Sequence, residues 1–133
     1  MEEIIDVTAA VIVRDGRVLI VRRGPGERHA GFWEFPGGKT GPGETPQACL
    51  ERELKEELGI WTRAGEIFAV SEYEYGHGTV RLIAISTEIE SGDITLSVHD
   101  RAEWAPVGAL ESYRFLPADL PIAAKLGAAG NEE

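Results

Sequence analysis

Residues Gly37 to Ile60 read GGKTGPGETPQACLERELKEELGI, and four glutamates (Glu51, Glu53, Glu56 and Glu57) fall within seven positions of this stretch. The punctuation predicts a helix from about Pro46 to Leu58. Thr45 suits the N-cap, Pro46 the first helical position, and Gly59 the left-handed residue beyond the end. Leu50, Leu54 and Leu58 make an apolar stripe at i,i+4 spacing, so one side packs on a core. Glu53, Glu56 and Glu57 gather on an adjoining face. Glu53 and Glu57 repel at i,i+4 by a few tenths of a kcal/mol. Glu56 and Glu57 also stand at the C-terminal end, where the macrodipole disfavours negative charge. Either this face is simply solvated or it holds something positive.

On the N-terminal side, Val7 to Val13 is β-rich and apolar and reads as a strand buried on both faces. Asp15-Gly16 marks a hairpin, with Arg17 to Val21 as its second strand. Arg22 to Ala30 reads as a loop, and Phe32 to Phe35 as a short aromatic segment running into Pro36-Gly37-Gly38. Beyond the helix, Glu66 to Tyr75 and Thr79 to Ile89 are strand-like, joined by Gly76-His77-Gly78. Ser91-Gly92-Asp93 is a turn, Trp104 to Val107 a short strand or edge, and Asp119 to Leu126 a terminal helix, with 127–133 as a frayed tail. Strands, helix, strands, helix predict an α/β fold with a mixed sheet between helices.

The 133 residues suit one domain, 1–133, with a real core. The single cysteine, Cys49, excludes an intramolecular disulfide and fits a reducing compartment. No apolar run reaches the length of a membrane span, and MEEIID lacks a signal-peptide pattern, so the protein reads as cytoplasmic. A formal net charge of −10 argues against a nucleic-acid polymer as partner. Nine of the thirteen Lys and Arg residues lie between Arg14 and Arg63, around the quoted stretch. This leaves room for a nucleotide bridged by a divalent cation.

Three carboxylates on one helical face beside a glycine turn suit a hard cation such as Mg²⁺, which is commonly completed by substrate phosphates. Backbone carbonyls of Gly37-Gly38 add candidate oxygen ligands, because glycine lets the main chain approach closely. The pattern points to metal-assisted attack on a phosphate. Here the stretch resembles the Nudix box, G-x5-E-x7-R-E-U-x-E-E-x-G-U, with U bulky and apolar. Gly38, Glu44, Arg52, Glu53, Leu54, Glu56, Glu57, Gly59 and Ile60 meet every fixed position. A weaker resemblance to the MutT branch covers most of the chain. It rests on Arg22-Arg23, Gly31 to Lys39, Trp104 and Phe115 to Pro121.

The resemblance implies a Nudix α/β/α sandwich and hydrolysis of a nucleoside triphosphate to monophosphate and pyrophosphate, with water attacking the β-phosphorus. By position it assigns Gly38 (through its carbonyl), Glu53, Glu56 and Glu57 to Mg²⁺, with Mn²⁺ a substitute. One of the glutamates, Glu53 or Glu56, also handles the water, Arg52 and Glu44 orient the carboxylates, and Lys39 contacts phosphate. MutT-like enzymes often carry an acid six residues before the tryptophan. That position is Val98 here; Asp100 and Glu103 are the nearby acids, and Asp100 is the candidate late-loop ligand because related family members place an acid four residues before this tryptophan. Arg23 and Phe35 are candidate nucleotide contacts, against a surface charge and plain core. His29, His77 and His99 read as loop residues, and Trp104 as packing.

Asp119 either caps the last helix or reads the base. Ionised, it only accepts hydrogen bonds, which suits the cytosine amino group better than the O6/N7–H edge of 8-oxoguanine. Protonation in an apolar pocket would reopen the oxidised purine. CTP or dCTP and 8-oxo-dGTP are therefore the expected substrates. A nucleotide-sugar hydrolase and a non-catalytic nucleotide sensor are the alternatives. The intact carboxylate set weighs against the sensor, and monomer and homodimer stay open.

Overall fold

The computed structural model describes residues 3–76 and 78–131. Asp15 (φ 50°) and Gly16 (φ 74°) both take positive φ, as a two-residue hairpin turn demands. They join β2 (Val13–Arg14) to β3 (Arg17–Arg23), pairing Val13 with Val18. The remaining strands are β1 (Ile4–Val11), β4 (Trp33–Glu34), β5 (Trp61–Tyr75), β6 (Gly78–Ser91) and β7 (His99–Pro106). Helices α1 (Pro46–Leu58) and α2 (Leu120–Asn131) complete the chain, with 3-10 segments at Val107–Ser112 and Pro117–Asp119.

The strands form two sheets. In the mixed one, β6 lies between β1, which is parallel to it, and β5, which is antiparallel. In the antiparallel one, β3 pairs with β2, β4 and β7. Side-chain alternation divides the interior in two. Ala9, Val11, Val18, Ile20, Leu82 and Ala84 pack with Ile122, Ala123 and Leu126 of α2. Ala10, Ile12, Leu19, Val21, Ile83 and Ile85 pack with Leu50, Leu54 and Leu58 of α1. This is the expected layering, helix on both sides of sheet, and each fully buried leucine of α1 contributes roughly 1.5–3 kcal/mol over an exposed one.

Three expectations need correction. Arg22 and Arg23 lie in β3 and not in a loop, and residues 99–103 belong to β7. Both runs are polar, and pairing with distant segments, Arg22 with Arg101 and Trp33 and Arg23 with His99, makes them strands. The tail is helical as far as Asn131, with 132–133 outside the described residues. His77 of the expected hairpin loop also lies outside them. Among the described residues, no helix is long and apolar enough to cross a membrane.

Candidate active site

Helix α1 starts as its sequence dictates. Thr45 Oγ1 accepts from Ala48 N at 3.1 Å, and Gly59 (φ 69°) ends the helix by donating its N–H to Lys55 O at 3.0 Å. Ahead of it, residues 36–40 run antiparallel along β1. Ala10 N donates to Pro36 O (2.7 Å), Thr8 N to Gly38 O (2.8 Å) and Thr40 N to Asp6 O (3.1 Å). The approach is so close that a Cβ on Gly37 would fall 1.9 Å from Thr8 O. A Cβ on Gly38 would fall 2.4 Å from Cδ of Glu53.

These contacts revise the part given to Gly38. Its carbonyl also accepts from the Thr8 hydroxyl at 3.0 Å, so two donors from β1 already engage it. Gly38 matters for the side chain it lacks, which leaves room for Glu53. The neighbouring Gly37 carbonyl has no hydrogen-bond donor among the described residues.

The four glutamates have separate employments. Glu51 accepts from Ala64 N at 2.9 Å and ties α1 to β5. Arg52 reaches three others: Glu44 through two bonds (2.7 and 2.8 Å), Glu53 at 3.0 Å and Glu56 at 3.1 Å. Glu44 also accepts from Gly41 N at 2.7 Å. These bonds, that to Arg52 foremost, hold its carboxyl down at about 2. Glu56 is 57 % exposed in its side chain and does not line the cavity described below. Glu57 has no ion pair among the described residues. Burial, reinforced by Glu53 and Glu34 and opposed by His99, pushes its carboxyl up to about 7.

Glu53 and Glu57 face a cavity of about 610 Å³. Lys39, Arg23, Glu34, His99, Tyr75 and Asp119 line it too. Asp100 does not. It is held by two bonds to Arg22, at 2.8 and 3.0 Å, because strand alternation turns it away from the cavity that His99 faces. The candidate late-loop ligand is thus a partner of β3. Arg23 gives both of its Nη1 contacts to Glu34, at 3.0 and 3.3 Å. Glu34 in turn receives His99 Nε2 at 2.8 Å. Sequence reasoning missed Glu34 and His99. The one signal for Glu34 was a charge set inside the aromatic run Phe32 to Phe35.

At the other end, Phe35 is only 3 % exposed and its ring stacks on Phe115, with centroids 5.2 Å apart. Its ring packs into the core on Phe115 while the residue also lines the cavity, and its N–H donates to Asp119 Oδ2 at 3.0 Å. Asp119 is 4 % exposed. Its carboxylate engages this neighbouring strand instead of capping α2. Burial raises it well above the usual carboxylate range, Glu34 adding to the rise while the Phe35 N–H opposes it. Burial thus favours the neutral form of Asp119 over the ionised form expected from sequence, and a neutral acid is both donor and acceptor.

Among the described residues, no three His, Cys, Asp or Glu side chains stand close enough to hold a metal ion between them. Mg²⁺ does not need three. It is commonly bound by one or two carboxylates, waters and substrate phosphates. Glu53, Glu57 and Gly37 line the same cavity and offer oxygen donors only, and Glu57 has no cationic partner among the described residues, so the residues present fit such an ion.

Comparison with known proteins agrees with this geometry. The NUDIX domain model matches residues 5–126. The CTP pyrophosphohydrolase of Escherichia coli K12 is 38 % identical over 121 residues, covering 90 % of this chain and 89 % of that one. The 8-oxo-dGTP diphosphatase of the same organism is 34 % identical over 120 residues, covering 89 % and 93 %. The crystal structure of a MutT protein from Methanosarcina mazei Go1 superposes with a TM-score of 0.85 at 27 % identity, covering 99 % and 98 %.

Proposed function

Since the chain belongs to the Nudix family, we propose that it is a Mg²⁺-dependent pyrophosphohydrolase of nucleoside triphosphates in the cytoplasmic pool, with Mn²⁺ as a substitute. The observation that carries this reading is the pairing, in one cavity, of Glu53 and Glu57 at one end with the buried Asp119 at the other. In the reaction, the oxygen of water bonds to the β-phosphorus. The bond from that phosphorus to the α–β bridging oxygen breaks, and the bridging oxygen leaves with the monophosphate. Bound Mg²⁺ supplies neutralisation of phosphate charge and polarisation of the phosphoryl group. Glu53, Glu57 and the Gly37 carbonyl would hold it, while Glu56 stays outside the cavity, bonded to Arg52. Glu53 accepts the proton of the attacking water. Arg52, itself braced by Glu44, fixes Glu53 and Glu56. Lys39 has no ion pair among the described residues and contacts phosphate.

Asp119 reads the base. As a neutral acid it donates through O–H and accepts at its other oxygen. Cytosine answers with N3 as acceptor and the N4 amino group as donor. The likeness to a CTP pyrophosphohydrolase supports cytosine as the first reading. The same neutral acid also complements O6 and N7–H of 8-oxoguanine, which makes 8-oxo-dGTP the second. The test is kcat/KM for CTP, dCTP, 8-oxo-dGTP and a UDP-sugar, run in ¹⁸O-water. A cytidine triphosphate ranks first, and the label enters pyrophosphate. Label in the monophosphate refutes attack at the β-phosphorus. Release of inorganic phosphate alone refutes the reaction class.

A further inference from the structure

Glu34 has no part in the reaction as described so far. It lines the cavity from β4, one residue before Phe35, whose N–H meets Asp119. Its charge is felt at both ends, by Asp119 and Tyr75 on one side and by Glu57 on the other. A substrate running from Asp119 to the carboxylates of α1 must therefore pass it. Base, sugar and phosphates are joined in that order, so the portion beside Glu34 is the sugar. A carboxylate repels phosphate and can only accept hydrogen bonds, and the sugar hydroxyls are the donors available there.

The carboxylate is also fixed in place. Arg23 Nη1 (3.0 Å) and His99 Nε2 (2.8 Å) converge on Oε2, while among the described residues Oε1 has only the longer Arg23 contact at 3.3 Å. Because a carboxylate does not donate, Nε2 carries the proton in this pair. His99 is 5 % exposed, and its Nδ1 has no hydrogen-bond partner among the described residues, so the hydrogen bond of the ring is the one to Glu34. Arg23, which also bonds the Arg28 carbonyl, and the buried His99 thus aim one carboxylate and leave one of its oxygens lightly used.

Building on the proposed nucleotide substrate, we propose that Glu34 is a specificity-determining residue that accepts a hydrogen bond from a ribose-ring hydroxyl, with Arg23 and His99 as its positioning residues. The test avoids turnover. Metal-free protein is titrated calorimetrically with cytidine 5′-monophosphate and its 2′-deoxy and 2′,3′-dideoxy forms. In the wild type, removing the recognised hydroxyl weakens binding about tenfold or more, the scale of one buried polar group left unpaired. The step at which this happens identifies the 2′ or the 3′ hydroxyl. In Glu34→Ala the same step shrinks below about threefold. Should that variant not fold, Glu34→Gln serves. Its amide oxygen must turn to Arg23 and His99, and the step again shrinks at least about threefold. A step unchanged in the variant that folds, a wild type indifferent to both hydroxyls, or no measurable binding overturns the assignment. Hydroxyl-dependent binding without hydrolysis of any triphosphate overturns only the proposed activity.

Discussion

Glu57 makes the protein without metal sensitive to pH, and the direction follows from its position. Its carboxyl is raised from 4.5 to about 7, first by burial. Between those values the folded chain holds a proton that the unfolded chain has released. Stability is therefore full below about pH 4.5, falls as pH rises through about 7, and is level above it. A rise of this size corresponds to roughly 3 kcal/mol for a fully shielded group. Glu57 is only partly shielded, so solvent screening reduces this to about 1–2 kcal/mol. For a chain of this length that is about 3–8 °C in Tm. The assay is thermal unfolding in EDTA at pH 5 and pH 8, for wild type and Glu57→Gln. The glutamine variant is expected to lose this part of the pH dependence and to exceed wild type at pH 8. Adding Mg²⁺ at pH 8 should stabilise wild type more than the variant. Equal pH slopes for the two proteins in EDTA would refute the reasoning.

Gly38→Ala should leave Tm within a few degrees, because only the flexible end of Glu53 stands in the way, yet lower kcat at least about tenfold by displacing that carboxylate; unchanged kcat would show that Glu53 need not sit there. EDTA should abolish turnover and Mg²⁺ restore it, while Glu53→Gln and Glu57→Gln each cost about 10²-fold in kcat; full activity in both variants would remove α1 from the chemistry. Asp119→Asn preserves one donor and one acceptor, so the CTP to 8-oxo-dGTP ratio of kcat/KM should change less than about threefold near pH 7. A shift of 10- to 100-fold toward 8-oxo-dGTP would mean that Asp119 works ionised.

What sequence could reveal here was local. Asp15-Gly16, Thr45, Gly59 and the Leu50, Leu54, Leu58 stripe each act within one or two turns of chain, and each appears where it was read. The α1 glutamates were legible for the same reason. What escaped depends on pairing across the chain. Arg22 and Asp100 are 78 positions apart, and Glu34 and His99 are 65 apart. Nothing in either partner's neighbours announces the other. Asp119 was found, but its burial was not, because that is set by Phe35 and the strands around it and leaves no trace in local sequence.

The segment 36–40 also has a bearing on solubility. Strand β1 has β6 on one side, and its other side is occupied by the main-chain bonds from Pro36, Gly38 and Thr40. Without that segment β1 would be a sheet edge rich in Thr, Ala and Val, which is a template for pairing with another molecule. The stretch that brings Gly37 and Lys39 to the cavity thus doubles as an edge guard. Damage that lifts it from β1 removes one wall of the cavity and uncovers an aggregation surface in one event. Inactive variants in this segment should accordingly be recovered as insoluble protein more often than equally inactive variants at Glu53 or Glu57.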